Sequence, residues 1–302
     1  MLSDGVRGEI GYLCASDVAE VGNGIVLGGK GSFPLNPTMF RAQHGSTRAP
    51  WPLKASYRSE VVPLSCEIRS ARSWGPRLCK DGFELVSDLN LGPINDDYAR
   101  RVEEIAQAVT GATRARAYCS AVRRAKEGER KTYAEYAHSD MGHESWCPKL
   151  RDVEKSELPP GLLLDDDENI KRYAVVSAWR YLGPEATCRH SHLALLDPRS
   201  VKRDDAVHFE IRTSDSFGSN YRLKAPSSSK SAPHHHAWWY FPNMDANSEL
   251  LFFTVYDSRP TFDAHGALGI PTIIHSAFQD PTRPVHEPQR QSLDLRIFLT
   301  WE

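Results

Sequence analysis

The sequence contains no long apolar stretch: nowhere do about 18 apolar residues run together, so no membrane-spanning helix is expected. Paired cysteines are missing too. The six, at positions 14, 66, 79, 119, 147 and 188, are scattered without a C-x-x-C spacing, which suits reduced thiols in a cytoplasmic protein rather than a disulfide framework. Neither sign of charge dominates, since 37 Lys and Arg stand against 39 Asp and Glu for a net charge of −2. With no long basic run, the electrostatic footprint of a nucleic-acid binder is absent. Met1 to Glu20 carries no apolar core of a secretory signal. The Gly28-Gly29-Lys30-Gly31 cluster lacks the G-x-x-x-x-G-K-[ST] spacing and reads as a turn. No nucleophile-elbow glycines accompany a Ser/His/Asp set, so hydrolase chemistry has no support. What remains is a globular chain of 302 residues, 40% hydrophobic and 25% charged, that handles a small molecule. Whether it forms a homodimer is left open.

One amphipathic helix stands out over 93–111. Tyr98, Val102, Ile105, Ala106 and Val109 recur at helical spacing, Asn95 suits the N-cap, Asp96 and Asp97 suit the positive end, and Gly111 suits the stop. Strands are expected at Arg114–Arg123, Arg172–Arg180, Ala206–Arg212, Glu249–Tyr256, Ile270–Phe278 and Leu293–Trp301, with turn-rich segments between them. The continuous apolar run at 249–256 fits a strand covered on both faces. No βαβ alternation and no internal repeat appears. The fold class is therefore mainly β: a double-stranded β-helix (jelly roll) core with flanking helices. Residues 1–92 read as an N-terminal extension or lid region, and 93–302 as the helix plus the core of one domain.

Within this frame, Ala137-His138-Ser139-Asp140 places a His and a carboxylate two residues apart in an extended segment, on one side of the chain. A non-haem Fe(II) centre needs two His and one carboxylate with open positions beyond them. His275, at the end of an apolar strand, is the expected third ligand. Downstream, Arg290 and Ser292 share a strand face with Asp294 and Arg296, opposite Leu293, Leu295, Ile297 and Leu299. A buried Arg with a nearby hydroxyl can hold the far carboxylate of 2-oxoglutarate through two parallel bonds and a third donor. Arg290 is expected as that anchor, with Arg296 as the alternative. Arg180, Trp179, Trp238, Trp239, Tyr240 and His143 are expected pocket residues, although barrel core accounts equally well for the aromatic ones. His208-Phe209-Glu210 is a rival iron pair, His190-Ser191-His192 lacks a following Glu, and His234-His235-His236 reads as a turn before the aromatic block.

The motifs Asp81-Gly82-Phe83-Glu84-Leu85, Thr110-Gly111-Ala112, His138-Ser139-Asp140, Ala178-Trp179-Arg180, Leu193–Asp197, Trp239–Met244, Tyr256-Asp257-Ser258, His275–Phe278 and Arg290–Arg296 run in one order over about three-quarters of the chain. In that order they resemble the fungal small-molecule hydroxylase and desaturase family of non-haem Fe(II)/2-oxoglutarate-dependent oxygenases. That family includes a gibberellin desaturase and the auxiliary protein of cephamycin 7α-methoxylation. The resemblance implies a single oxygenase domain over 1–302, a jelly-roll core, Fe(II) with 2-oxoglutarate as cosubstrate, and His138, Asp140 and His275 as the metal triad. It implies oxidation of an unactivated C–H bond in a small secondary metabolite, an amino acid among the options, giving hydroxylation, desaturation or ring closure. Dioxygen and that small molecule are the expected partners, with no nucleic acid and no membrane. An iron oxidase that does not use 2-oxoglutarate, and a jelly-roll binding protein without catalysis, are the rival readings. Tyr181 stands where the family usually has proline, and Gln291 and Asp294 where it usually has Glu, so the substrate does not transfer from any one member.

Overall fold

The computed structural model describes residues 5–13, 25–28, 61–124, 133–141, 170–183, 185–189, 191–202, 205–212, 217–226, 233, 235–258, 272–282 and 290–302. Among them the strands are β1 (Gly5–Leu13), β2 (Ile25–Gly28), β3 (Val61–Ser70), β4 (Phe83–Val86), β5 (Arg114–Arg124), β6 (Arg172–Tyr181), β7 (His192–Leu196), β8 (Ala206–Arg212), β9 (Phe217–Leu223), β10 (Trp238–Tyr240), β11 (Leu250–Asp257), β12 (His275–Phe278) and β13 (Gln291–Trp301). Helices are α1 (Leu78–Asp81) and α2 (Asp96–Thr110). The strands form a first sheet in the order β1-β3-β10-β7-β12, a second in the order β4-β11-β6-β13-β5, and a smaller one in the order β2-β8-β9.

Side-chain alternation assigns the layers. In the second sheet Ala178, Phe252, Leu293, Leu295, Ile297 and Leu299 turn to one side and pack with Tyr98, Val102 and Ala106 of α2. Their neighbours Trp179, Phe253, Val255 and Phe298 turn to the other side. There they meet Leu193 and Leu195 of β7, Phe241 and Ile273 in the core between the two large sheets. The second sheet is thus covered on both faces, as the apolar run of β11 requires. The far side of the first sheet, with Ile10, Tyr12, Leu64, Ile68, Ala194, Leu196, Trp238, Tyr240 and Phe278, forms one cluster with Leu223 of β9.

Two sequence expectations change in detail. Asn95 has the extended backbone of an N-cap, but its side chain makes no cap bond; Arg101 donates to its Oδ1 at 3.4 Å instead. Of the strand expected over Ile270–Phe278, residues 270 and 271 lie outside the described residues, and the described strand begins at His275. Ile273 N–H donates to the Thr254 carbonyl of the second sheet at 2.8 Å, next to the irregularity in β11, while the Ile274 carbonyl already accepts from Leu196 N–H of the first sheet at 2.9 Å, so the chain crosses from one sheet to the other here. Gly111 takes the left-handed conformation (φ 66°) and closes α2 by donating to Gln107. Residues 5–13 and 61–70, from the stretch read as an N-terminal extension, supply two adjacent strands of the first sheet. Among the described residues no helix is long and apolar enough to cross a membrane.

Candidate metal centre

The segment 135–139 is threaded between strands of different sheets. Gly11 N–H donates to the Glu135 carbonyl at 3.2 Å, and Ala137 N–H returns to the Gly11 carbonyl at 2.7 Å. Only glycine fits at position 11, since an added Cβ would lie 2.7 Å from that Glu135 oxygen. One residue on, His138 N–H donates to the His275 carbonyl at 3.1 Å and His275 N–H to the His138 carbonyl at 2.8 Å. The two histidines are direct cross-strand neighbours, with rings 4.6 Å apart. Ser139 closes the segment: its N–H donates to the Tyr221 carbonyl, and its hydroxyl accepts from Tyr221 N–H, both at 2.8 Å.

Backbone carbonyls orient both imidazoles. Nδ1 of His138 lies 2.9 Å from the Tyr136 carbonyl, and Nδ1 of His275 lies 3.1 Å from the Ile273 carbonyl. Since a carbonyl only accepts, each Nδ1 carries a proton, which leaves each Nε2 to face the third ligand. Those two Nε2 atoms face Asp140, at 3.6 Å from Oδ1 for His138 and 3.5 Å from Oδ2 for His275. All three residues are nearly buried, and their donor atoms lie within 4.8 Å of one another. Burial lowers the His275 pKa to about 4, so its imidazole is neutral at physiological pH. Burial alone would raise Asp140, but Arg296 and the two imidazoles hold its carboxyl well below the usual range. Two imidazole nitrogens and a carboxylate converging in this way form the donor set of a cation, and two His with one carboxylate match non-haem Fe(II).

Beside the triad, β13 contributes its polar face as expected, but with roles that register alone does not give. Arg296 Nη2 lies 2.6 Å from Asp140 Oδ2 and 2.7 Å from Asp294 Oδ2, while Ser177 donates to Asp294 Oδ1 at 2.5 Å. The charge of Arg296 is therefore engaged by two carboxylates, one of them from the triad. Arg290 is different. It is 2% exposed, and its Nη1 donates to the Ser191 carbonyl at 2.6 Å. The guanidinium lies 4.3 Å from the Tyr133 ring centre and 5.4 Å from that of Trp179. No carboxylate pairs with it among the described residues, and its Nε has no hydrogen-bond partner there. Ser292 is fully buried with its hydroxyl unpartnered in the same sense. Burial lowers the Arg290 pKa, and the more distant Cys188, Tyr133 and Glu135 offset the lost hydration only in part.

Strand alternation divides the expected pocket residues. Trp179 turns to the inner core near Arg290. Arg180 turns the opposite way, 5.3 Å from the Tyr98 ring centre of α2, with its Nε on the Ala246 carbonyl; it is not a wall of this site. Trp239 packs toward the inner core against Trp74 at 4.6 Å. Tyr240 and Trp238 lie on the far face of the first sheet, where Tyr240 meets His192 and Phe278. His143 lies outside the described residues, as do His190 and the side chains of His208 and Glu210. Tyr133, Ser191 and Phe253 are additions to the sequence-based set. The Phe253 ring lies 5.0 Å from His275, and Ser191 sits at φ 46° and offers its carbonyl to Arg290. Because each acts through a tertiary contact, no motif marks it.

Comparison with known proteins extends these observations. Residues 68–300 match the model of the oxidoreductase/YMDC permease-like domain family. Among solved structures, the iron and alpha-ketoglutarate-dependent endoperoxidase NvfI superposes with a TM-score of 0.67 at 18% identity, covering 99% of this chain and 98% of that one. The same enzyme in a different conformation gives a TM-score of 0.70 at 18% identity, covering 98% of each chain. The likeness is one of fold, and it extends over nearly the whole length of both chains. No curated protein sequence matches significantly.

Proposed function

We propose that this chain, which belongs to the oxidoreductase/YMDC permease-like domain family, is a non-haem Fe(II)/2-oxoglutarate-dependent oxygenase acting on a small molecule. The observation that carries this reading is a buried His-Asp-His donor set accompanied by a buried guanidinium that pairs with no carboxylate among the described residues. Fe(II) would be held by His138 Nε2, His275 Nε2 and the Asp140 carboxylate. When bound with 2-oxoglutarate and dioxygen, it supplies the oxidation of an unactivated C–H bond, with 2-oxoglutarate going to succinate and carbon dioxide.

The remaining work belongs to the protein. Arg290 and Ser292 take the far carboxylate of 2-oxoglutarate, which supplies the anion that the buried guanidinium lacks and acceptors for its Nε and for the Ser292 hydroxyl. Arg296 keeps Asp140 ionised and fixes its second oxygen. The Tyr136 and Ile273 carbonyls hold the imidazole tautomers, and Phe253 and Trp179 exclude water from the centre. The substrate class is a small secondary metabolite. Hydroxylation, desaturation and ring closure, or oxygen insertion of the kind named in the endoperoxidase NvfI, are the outcomes open to such a centre.

Anaerobic mixing of the protein with Fe(II) and 2-oxoglutarate is expected to produce a weak visible charge-transfer band. His138→Ala and Asp140→Ala should each abolish it. Survival of the band in both variants would remove the triad from this role. Substrate-dependent release of succinate separates the oxygenase from an iron oxidase that does not use 2-oxoglutarate.

A further inference from the structure

A second group of ligating side chains lies on the far side of the first sheet. Asp205, just before β8, faces His235 and His236 in the turn that leads into β10. Asp205 Oδ2 is 2.7 Å from His235 Nε2 and 3.2 Å from His236 Nε2, and donor atoms of the three residues lie within 4.8 Å of one another. Backbone bonds fix both halves. Asp205 N–H donates to the Lys202 carbonyl at 3.0 Å, and the Asp205 carbonyl accepts from Lys224 N–H at 2.8 Å. Across from it, His236 N–H donates to the Pro233 carbonyl at 3.0 Å, and Ala237 N–H to the Ser200 hydroxyl at 3.1 Å. The ligand-bearing segments are therefore held in place without any ion.

His236 is the informative member. Its side chain is 0% exposed, and its Nδ1 lies 3.0 Å from the Tyr12 hydroxyl, which also accepts from Trp238 Nε1 at 3.0 Å. Two tautomers fit this bond: with Tyr12 donating to Nδ1, Nε2 carries the proton toward Asp205; with Nδ1 donating to Tyr12, Nε2 is a free lone pair. In the second tautomer, the one a bound cation would select, Nε2 of His236 is a lone pair aimed at the Asp205 side. Consistent with this, Nε2 makes no hydrogen bond among the described residues, although an Asp205 oxygen lies within contact distance. A buried imidazole lone pair set against a carboxylate is unfavourable unless a cation lies between them. A metal-bound histidine usually donates its second ring N–H to an acceptor that fixes the ring, and the Tyr12 oxygen is placed to be that acceptor. His235 is 33% exposed and Lys202 is exposed, so the open side of the group faces water.

We infer that Asp205, His235 and His236 form a structural Zn(II) site, with water as the fourth ligand, that clamps the start of β8 to the start of β10. Carboxylate and imidazole are ordinary zinc donors, and three of them with a water complete a tetrahedron. The clamp joins segments from two sheets on the far face of the first sheet and requires no part of the iron reading.

The test is a metal count on full-length protein, stripped with chelator and equilibrated against two equivalents of Zn(II). Wild type should retain two ions per chain, because the His138/Asp140/His275 group also accepts zinc. His235→Ala should retain one, and His138→Ala should retain one. The exposed position of His235 spares the core, and circular dichroism of the variant checks that it folds. As a second readout, Zn(II) should raise the melting temperature of His138→Ala but not of the His138→Ala/His235→Ala double variant. Retention of two ions by His235→Ala, or of one ion by wild type that is lost in His138→Ala, overturns the clamp. One ion in wild type that is lost in His235→Ala and kept in His138→Ala supports the clamp and counts against the iron triad instead.

Discussion

Arg290, just before β13, and Arg296, in the middle of β13, project from the same face, and their surroundings give them opposite work. Arg296 is neutralised by Asp140 and Asp294, so removing it leaves two buried carboxylates uncompensated. Arg290 carries a buried charge that no carboxylate among the described residues answers. The expected result is a separation of effects. Arg290→Ala should raise the 2-oxoglutarate concentration needed for half-maximal turnover by roughly 100-fold, the loss of a charge-assisted pair, while leaving the metal affinity near wild type. Arg296→Met should weaken Co(II) or Fe(II) binding by about 10–100-fold, as removal of a ligand's orienting partner does. Equilibrium dialysis for the metal and succinate assays at saturating metal distinguish the two. A larger cosubstrate effect in Arg296→Met would return the anchor to that residue.

At the level of elements, the loop before β11 is tied down by one carboxylate. Glu249 accepts both Arg72 Nη atoms at 2.7 and 2.8 Å and also the Asp245 N–H at 2.9 Å. Burial alone would raise its pKa, but Arg72 and that N–H hold it below the ordinary value. A carboxyl depressed on folding stabilises the native state above its unfolded-state pKa, and the contribution disappears as pH falls through the folded-state pKa. Glu249→Gln should therefore show a shallower loss of urea midpoint than wild type as pH drops from about 6 to about 3; parallel slopes would exclude this residue as a source of acid sensitivity. The elements also differ in how far the sequence announces them. β11, β13 and α2 were legible because each has a long apolar period of its own. β1 and β3 were not, because Gly5, Gly8, Gly11 and Pro63 break the pattern. At Gly8 and Gly11 the glycine is present because another chain segment comes too close for a side chain, and an added Cβ at Gly8 would lie 2.9 Å from Phe278. In the site, His138, Asp140 and His275 were legible as ligand types in an extended context. The Arg296–Asp140 pair was not, because strand periodicity fixes a face but not the depth or neighbour reached on it. The His234-His235-His236 run was visible but read as a turn, and Asp205 carries no local signal; only tertiary folding brings Asp205 to His235 and His236.

For the whole molecule, the second sheet is the shared wall of two cores, with Phe252 facing α2 and Phe253 facing the metal centre. Phe252→Ala should cost about 3–5 kcal/mol of unfolding free energy, the usual range for an emptied aromatic core site. Metal stoichiometry should be unchanged under native conditions, and denaturant titration together with a metal count checks both halves. Loss of the metal without loss of stability would mean that the two faces are not independent. The backbone bridge between His138 and His275 has a consequence in time. Asp140 and the Arg296 that holds it are 156 residues apart in sequence, and His138 and His275 serve as each other's hydrogen-bond partners. No partly folded chain owns this pocket, so in a refolding experiment metal capture should lag the recovery of secondary structure and coincide with docking of β13. The metal centre would then serve as a clock for the last step of assembly.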